Sequence, residues 1–220
     1  MGYNFIMGQV LAFKNLARLE PEQQKYSQIY LEIGNLSLLR GSLTEFVGEA
    51  SAGKTALTLM LLSALTQNGE ICSIVDVADG FNPHSARKNN VTLENLLWIR
   101  CGGHIENAFK AIDYLVQAGN FGLIWLNLNT ASFEDLNFIP SSYWYRFRTK
   151  IKGSQTLLIV TAKRSLLGSA SSQSFSLDKR EIVWSGAGRF KLVKELNINL
   201  NTRKPFLIKP EIVKVEANYV

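Results

Sequence analysis

The sequence predicts an α/β fold: a mostly parallel central sheet flanked by helices, with β-strands at the C-terminus and a helical arm at the N-terminus. Three observations predict it. A strand–loop–helix unit surrounds residues 48–55. From there to residue 161, short apolar runs alternate with segments of helical periodicity, the pattern of a doubly wound sheet. Residues 121–128 are apolar almost throughout, which suits a parallel strand covered on both faces.

Residues 4–20 carry Phe5, Leu11, Phe13, Leu16 and Leu19 among polar residues and read as a helix ending before Pro21. A polar, turn-prone stretch follows, and residues 29–33 read as a short strand or a docking segment. We assign 1–35 to an N-terminal arm, an oligomerisation device or a lid on the core, and 36–220 to the core with its C-terminal β extension. Residues 43–47 form the strand entering the loop and 56–65 the helix leaving it. Strands follow at 71–76 and 96–100, separated by a turn at Asn82-Pro83 and a short helix over 85–90. A helix over 105–117 closes at Gly119, a second spans 141–151, and 156–161 is a further buried strand. The Ser-rich stretch 165–177, with Gly168, reads as a long mobile loop. Residues 180–184, 190–199 and 204–215 read as strands, with turns at 185–188 and at Asn201-Thr202. There is no internal repeat.

No apolar run reaches the roughly 18–20 residues needed to span a bilayer, so no membrane partner is expected. The N-terminus lacks a charged-then-apolar signal pattern, and the expected location is cytoplasmic. Cys72 and Cys101 lack metal-ligand spacing and are too few for a disulfide framework; they read as buried thiols. The net charge of +6 is unevenly placed. Residues 140–194 hold eleven Lys/Arg against two acids, and the remainder holds 13 basic against 16 acidic residues. A local excess of that size points to a polyanion such as nucleic acid, or else to a solvated basic face.

Gly48, Glu49, Ala50, Ser51, Ala52, Gly53, Lys54 and Thr55 complete the pattern G-x-x-x-x-G-K-[ST]. The glycines let successive backbone N–H groups turn inward around a phosphate, and the new helix adds its positive end. In this reading Lys54 reaches the β/γ-phosphates of ATP and the Thr55 hydroxyl ligates Mg²⁺.

From Gly41 to about Leu200 the chain resembles the ATPase core of RecA. The resemblance rests on residues 41–48 and 51–59, then on Val75-Asp76, Asn82-Pro83, Ala86-Arg87-Lys88, Val91 and Leu96-Leu97. Gln117-Ala118-Gly119 and residues 152–159 continue it. It implies a RecA-like P-loop core, and it exposes four departures. The Glu that polarises the attacking water in this family falls on Ala78, with Asp79 one residue off. The Walker B Asp that holds Mg²⁺ through water falls on Asn127. The adenine-stacking Tyr falls on Ser85, beside His84. The Asn-Gln pair that senses the γ-phosphate falls on Ala162-Lys163, followed by Arg164; Lys163 there reads equally as a phosphate contact or a DNA-backbone contact. The cradle is kept, and no residue is assigned as catalytic.

The layout also resembles degenerate RecA-like mutagenesis accessory proteins of the ImuA type. That resemblance implies a partner associated with an error-prone polymerase, or RecA itself, and weak or vestigial ATP binding. The rival expectations are an active DNA-dependent ATPase of recombination or repair and a purely structural partner-binding module. Nucleic-acid candidates, single-stranded DNA favoured, are Arg146, Arg148, Lys150 and Lys152 on the 141–151 helix, and Lys163, Arg164, Lys179 and Arg180 flanking the Ser-rich stretch. Tyr143, Trp144, Tyr145 and Phe147 are interleaved with the first group as base-stacking or packing rings. The Ser-rich stretch occupies the place of RecA's second DNA-binding loop.

Overall fold

The computed structural model describes residues 30–33, 35–137, 139–185, 192–205 and 211–216. The helix expected over 4–20 and the glycines of the 185–188 turn lie outside them. In chain order the elements are β1 (Tyr30–Ile33), β2 (Leu36–Leu39), β3 (Ser42–Val47), α1 (Lys54–Gln67), β4 (Cys72–Asp76), α2 (Pro83–Lys88), β5 (Leu96–Arg100), α3 (Ile105–Ala118), β6 (Leu123–Asn127), α4 (Phe133–Asn137), α5 (Ser141–Ile151), β7 (Leu157–Ala162), β8 (Gln173–Ser185), β9 (Leu192–Lys204) and β10 (Glu211–Glu216). Short 3₁₀ turns lie at Leu93–Asn95 and Gly168–Ala170.

The main sheet runs in the order β10-β9-β8-β3-β7-β6-β4-β5. From β8 to β5 every pairing is parallel; β9 and β10 extend the sheet antiparallel beyond β8. β3, β4, β6 and β7 are buried at every position, as strands covered on both faces must be. This is the expected α/β sheet.

Helices cover the two faces. On one, Leu57, Leu61, Leu62 and Leu65 of α1 pack with Leu36 and Leu38 of β2 and with Ile198 and Val213 of β9 and β10. On the other, Phe109 and Ile112 of α3 pack with Trp144 and Phe147 of α5. Phe109 stacks on Phe147 at 5.8 Å and meets Trp144 edge-on at 5.2 Å. Among the described residues no helix is long and apolar enough to cross a membrane.

Two expectations need correction. The stretch 165–177 is not a free loop: it forms the 3₁₀ turn at Gly168–Ala170 and then β8, whose Gln173–Ser176 pairs with β3. Phe175 and Leu177 are buried and alternate with serines, a period-two signal hidden by Ser-rich composition. Asn201-Thr202 is not a turn. Both residues continue β9, opposite Ser176 and Phe175, because a long neighbouring strand overrides their turn propensity. Two elements went unpredicted: β2, which pairs antiparallel with β1, and the short helix α4.

Gly53 precedes α1 at φ 92°. A Cβ there would lie 2.5 Å from Ile198 Cδ1. Gly53→Ala therefore combines left-handed strain with overpacking and should cost about 2–4 kcal/mol, read as a lower urea midpoint. Cys72 and Cys101 are free and buried, as expected. Burial pushes the Cys72 thiol up to about 12 and the Cys101 thiol to about 11, from 9.0. The folded state thus prefers neutral thiols, and that stabilisation is whole below pH 9 and lost as pH rises through those values. Disulfide-exchange labelling at pH 8 should be roughly 100-fold slower in the native protein than in denaturant.

Candidate nucleotide-binding site

β3 ends at Val47, and the next six residues turn into α1. Gly48 is required by packing: a Cβ would lie 2.5 Å from the Leu177 carbonyl oxygen and 3.0 Å from Ala52 Cβ. Ser51 and Gly53 both adopt positive φ, which folds the loop back over the helix start. The first turn of α1 holds no acidic residue, so no side chain offsets its positive end. Lys54 is buried, and its Nζ donates to the carbonyls of Gly48 and, at 2.8 Å, Glu49. Burial lowers its pKa; Glu49 opposes that shift and the positive charge of Lys163 adds to it. Thr55 is exposed on the first turn. The loop thus has the form of a phosphate cradle whose lysine rests on its own carbonyls.

The rest of the sheet's carboxyl edge is organised differently. Asp76, Asn127 and Thr161 stand side by side at the ends of β4, β6 and β7. Asn127 Nδ2 donates to Asp76 Oδ1 at 3.3 Å, and Phe81 N donates to Asp76 Oδ2 at 2.8 Å. Asn127 Oδ1 accepts from Asn129 N at 3.2 Å and from Thr161 Oγ1 at 3.4 Å. Trp125 Nε1 and Asn129 Nδ2 donate to Thr161 Oγ1 at 2.9 and 3.1 Å. Both ends of the Asn127 amide are therefore committed inside the network.

These residues do not fit a tightly held Mg²⁺. Asn127 supplies no negative charge, and both Asp76 oxygens accept hydrogen bonds. Asp76 also lies three strand spacings from β3, about 14 Å. Thr55 offers a hydroxyl on the first turn of α1, and a hard divalent cation needs carboxylate support around it.

Ala78 is exposed just past β4 and offers nothing to a water molecule. Its neighbour Asp79, at φ 55°, is gripped by Arg100, with Nε to Oδ1 at 2.9 Å and Nη2 to Oδ2 at 2.8 Å. That hydrogen-bonded pairing holds the Asp79 carboxyl below its ordinary pKa. Arg100 in turn lies 5.2 Å over the Trp98 ring, at the end of the edge strand β5. The edge is four strand spacings from β3, about 19 Å. Asp79 is thus drawn away from the cradle. Ser85 and His84 are exposed on α2, and Ser85 N donates to Asn82 Oδ1 at 3.1 Å, capping that helix.

Four of the basic candidates are engaged by groups of the fold. Arg146 and Lys150 converge on Asp113 of α3, Lys150 at 3.1 Å, and Arg146 also lies 4.5 Å over the Tyr143 ring. Arg148 Nη1 donates to the Ser169 carbonyl at 3.2 Å. Lys152 is exposed just past α5. Trp144 and Phe147 are core residues; Tyr145 is exposed and bonds Ser169. Lys163 and Arg164 follow β7 at the carboxyl edge, with Arg164 donating to Asn137 Oδ1. Lys179 and Arg180 lie within β8, on the other side of β3.

Glu45 was missed. It is fully buried in β3, and its carboxylate accepts from Ser165 Oγ (2.8 Å), Leu166 N (2.5 Å), Leu167 N (3.1 Å) and Ser174 Oγ (3.0 Å). A charged residue between Leu43 and Phe46 in a strand that enters the core was the available signal.

Comparison with known proteins bears on the family and the fold. The family model of the RecA N-terminal domain matches residues 16–138. RecA of Acinetobacter baylyi is 35% identical over 96 residues, 44% of this chain and 27% of that protein. RecA of Acinetobacter baumannii is 34% identical over the same length. The match therefore spans about a quarter of those relatives. A solved structure of the RadB recombinase superposes with a TM-score of 0.54 at 15% identity, covering 80% of this chain and 86% of RadB, a likeness of fold. With more than half of its length matched by the family model, this chain belongs to the RecA N-terminal domain family.

Proposed function

We propose that this protein is a RecA-like accessory factor of DNA repair or damage-tolerant DNA synthesis. It binds nucleotide through the 48–55 cradle, hydrolyses it slowly or not at all, and acts by contact with a polymerase-associated partner or with RecA. One observation carries this reading. The cradle keeps its glycines, its buried Lys54 and its uncompensated helix end, while the edge beside it holds an amide network where hydrolysis needs carboxylates.

Phosphoryl transfer rests on positioning and charge stabilisation. Loss of one group that orients or stabilises the reacting atoms costs on the order of 10²–10³ in rate. Ala78 removes the water-orienting carboxylate, and the Asp79–Arg100 pair keeps the neighbouring one occupied. An active ATPase is correspondingly disfavoured. The basic excess of 140–194 serves a polyanionic or acidic partner, single-stranded DNA included. The ion pairs of Arg146 and Lys150 with Asp113 reduce what α5 alone contributes to it.

Turnover of ATP with single-stranded DNA present should stay far below about one per second. Nucleotide should still bind, and Lys54→Ala should weaken that binding about ten-fold or more while leaving the unfolding midpoint close to the parent's. Turnover near one per second that disappears in Lys54→Ala would overturn the reading in favour of a working ATPase. Absence of nucleotide binding would leave the partner-binding module. Binding to single-stranded DNA should weaken as salt rises, with a slope of about 0.7 per phosphate contacted; a flat response would remove DNA from the proposal.

A further inference from the structure

We propose that Lys163 stands in for the divalent cation at this site: with Lys54 it clamps the polyphosphate, and nucleotide binds without Mg²⁺. The proposal rests on the reading of 48–55 as a nucleotide cradle. Its geometric basis is the pairing of β3 with β7. Val47 lies opposite Ala162, and Gly48 N donates to the Ala162 carbonyl at 3.3 Å. Residue 163 therefore leaves the sheet beside the first residue of the cradle, within the reach of a lysine side chain given a strand spacing of about 4.8 Å.

The chain around Lys163 is held on both sides. Ala162 is fixed by the sheet, and residues 165–167 are fixed by the Glu45 carboxylate through Ser165 Oγ, Leu166 N and Leu167 N. Lys163 itself is exposed. Lys54 opens α1 at the far side of the same loop, so residues 54 and 163 flank the cradle from the helix and from the end of β7. An anion between two such lysines relieves their repulsion and offsets the desolvation of Lys54.

The metal's usual holder is missing from the same edge. Asn127 donates to Asp76 and accepts from Asn129 and Thr161, so it leaves no carboxylate oriented at a phosphate-bound cation. Residue 163 thus carries a cation beside the cradle, while position 127 carries no charge that would retain a metal ion. A lysine ammonium is a compact point charge suited to phosphate, and it needs no carboxylate to hold it in place.

The test is calorimetric titration of ATP into the parent, Lys163→Ala, Lys163→Arg and Asn127→Asp, each with excess Mg²⁺ and with EDTA. The parent's affinity should differ by no more than about three-fold between the two conditions. Lys163→Ala should lose about ten-fold or more in EDTA, and Lys163→Arg should keep most of the affinity. Asn127→Asp should acquire a preference for Mg²⁺ of about ten-fold. Thermal unfolding of each variant confirms that it is folded. Binding by the parent in Mg²⁺ but not in EDTA overturns this inference and leaves nucleotide binding standing. Parent-like affinity of Lys163→Ala in EDTA also overturns it. No binding in either condition overturns the nucleotide reading and this inference together.

Discussion

The carboxylate of Glu45 is the constraint on which the arrangement around the cradle depends. It sits in the middle of a strand paired on both sides, where an unpaired charge would cost several kcal/mol. No cation answers it among the described residues. Four donors do, two hydroxyls and two backbone amides, and all four come from the segment after β7. Satisfying Glu45 therefore folds residues 165–174 against β3. That brings β8 into parallel register, and β8 in turn brings β9. Through that chain Leu177 and Ile198 come to rest against Gly48 and Gly53, which cannot carry side chains for that reason. The loop's two end glycines thus answer to tertiary packing as well as to a phosphate.

The same logic explains where the site can and cannot act. Ligands of open α/β sheets bind beyond the carboxyl ends of the strands, where helices leave toward opposite faces. Here α1 and α2 cover one face and α3 to α5 the other. The two halves of that edge differ in kind. Beside β3 lie the cradle, Lys54 and Lys163. Beside β4 and β5 lie the hydrogen-bonded network of Asp76 and Asn127 and a surface ion pair between Asp79 and Arg100, which solvent screens. Lysines stand at the β3 end of the edge, and the Asp76 carboxylate, three strands away, is taken up by Phe81 N and Asn127 Nδ2.

Much of the fold was legible because its signals are local. The P-loop announces itself through glycines that geometry requires. Buried parallel strands announce themselves through unbroken apolar runs such as residues 123–126, and α3 through its periodic Ala108, Ile112 and Leu115. That positions 78 and 127 carry no carboxylate was likewise readable one residue at a time. What escaped was non-local. β8 begins among serines whose strand character comes from a partner more than 120 residues away. Glu45 is meaningful only once its donors are known. The α5 cations looked like a polyanion surface until Asp113, on another helix, was found between two of them. Pattern reading finds what a residue prefers, and it misses what a distant neighbour demands.

The amide at Asn127 has a consequence for stability as well as chemistry. Its Nδ2 lies 3.3 Å from Asp76 Oδ1, both groups being buried. With a carboxylate at 127, two buried negative oxygens would face each other at that distance, and one would have to take up a proton or a cation would have to bind nearby. The amide turns that repulsion into a hydrogen bond and lets the edge close on itself without a metal. The network of Asp76, Asn127, Asn129 and Thr161 thus satisfies its own polar groups at the end of the sheet. The cradle beside it keeps its form because Glu45, Leu177 and Ile198 hold it whether or not it turns over a nucleotide.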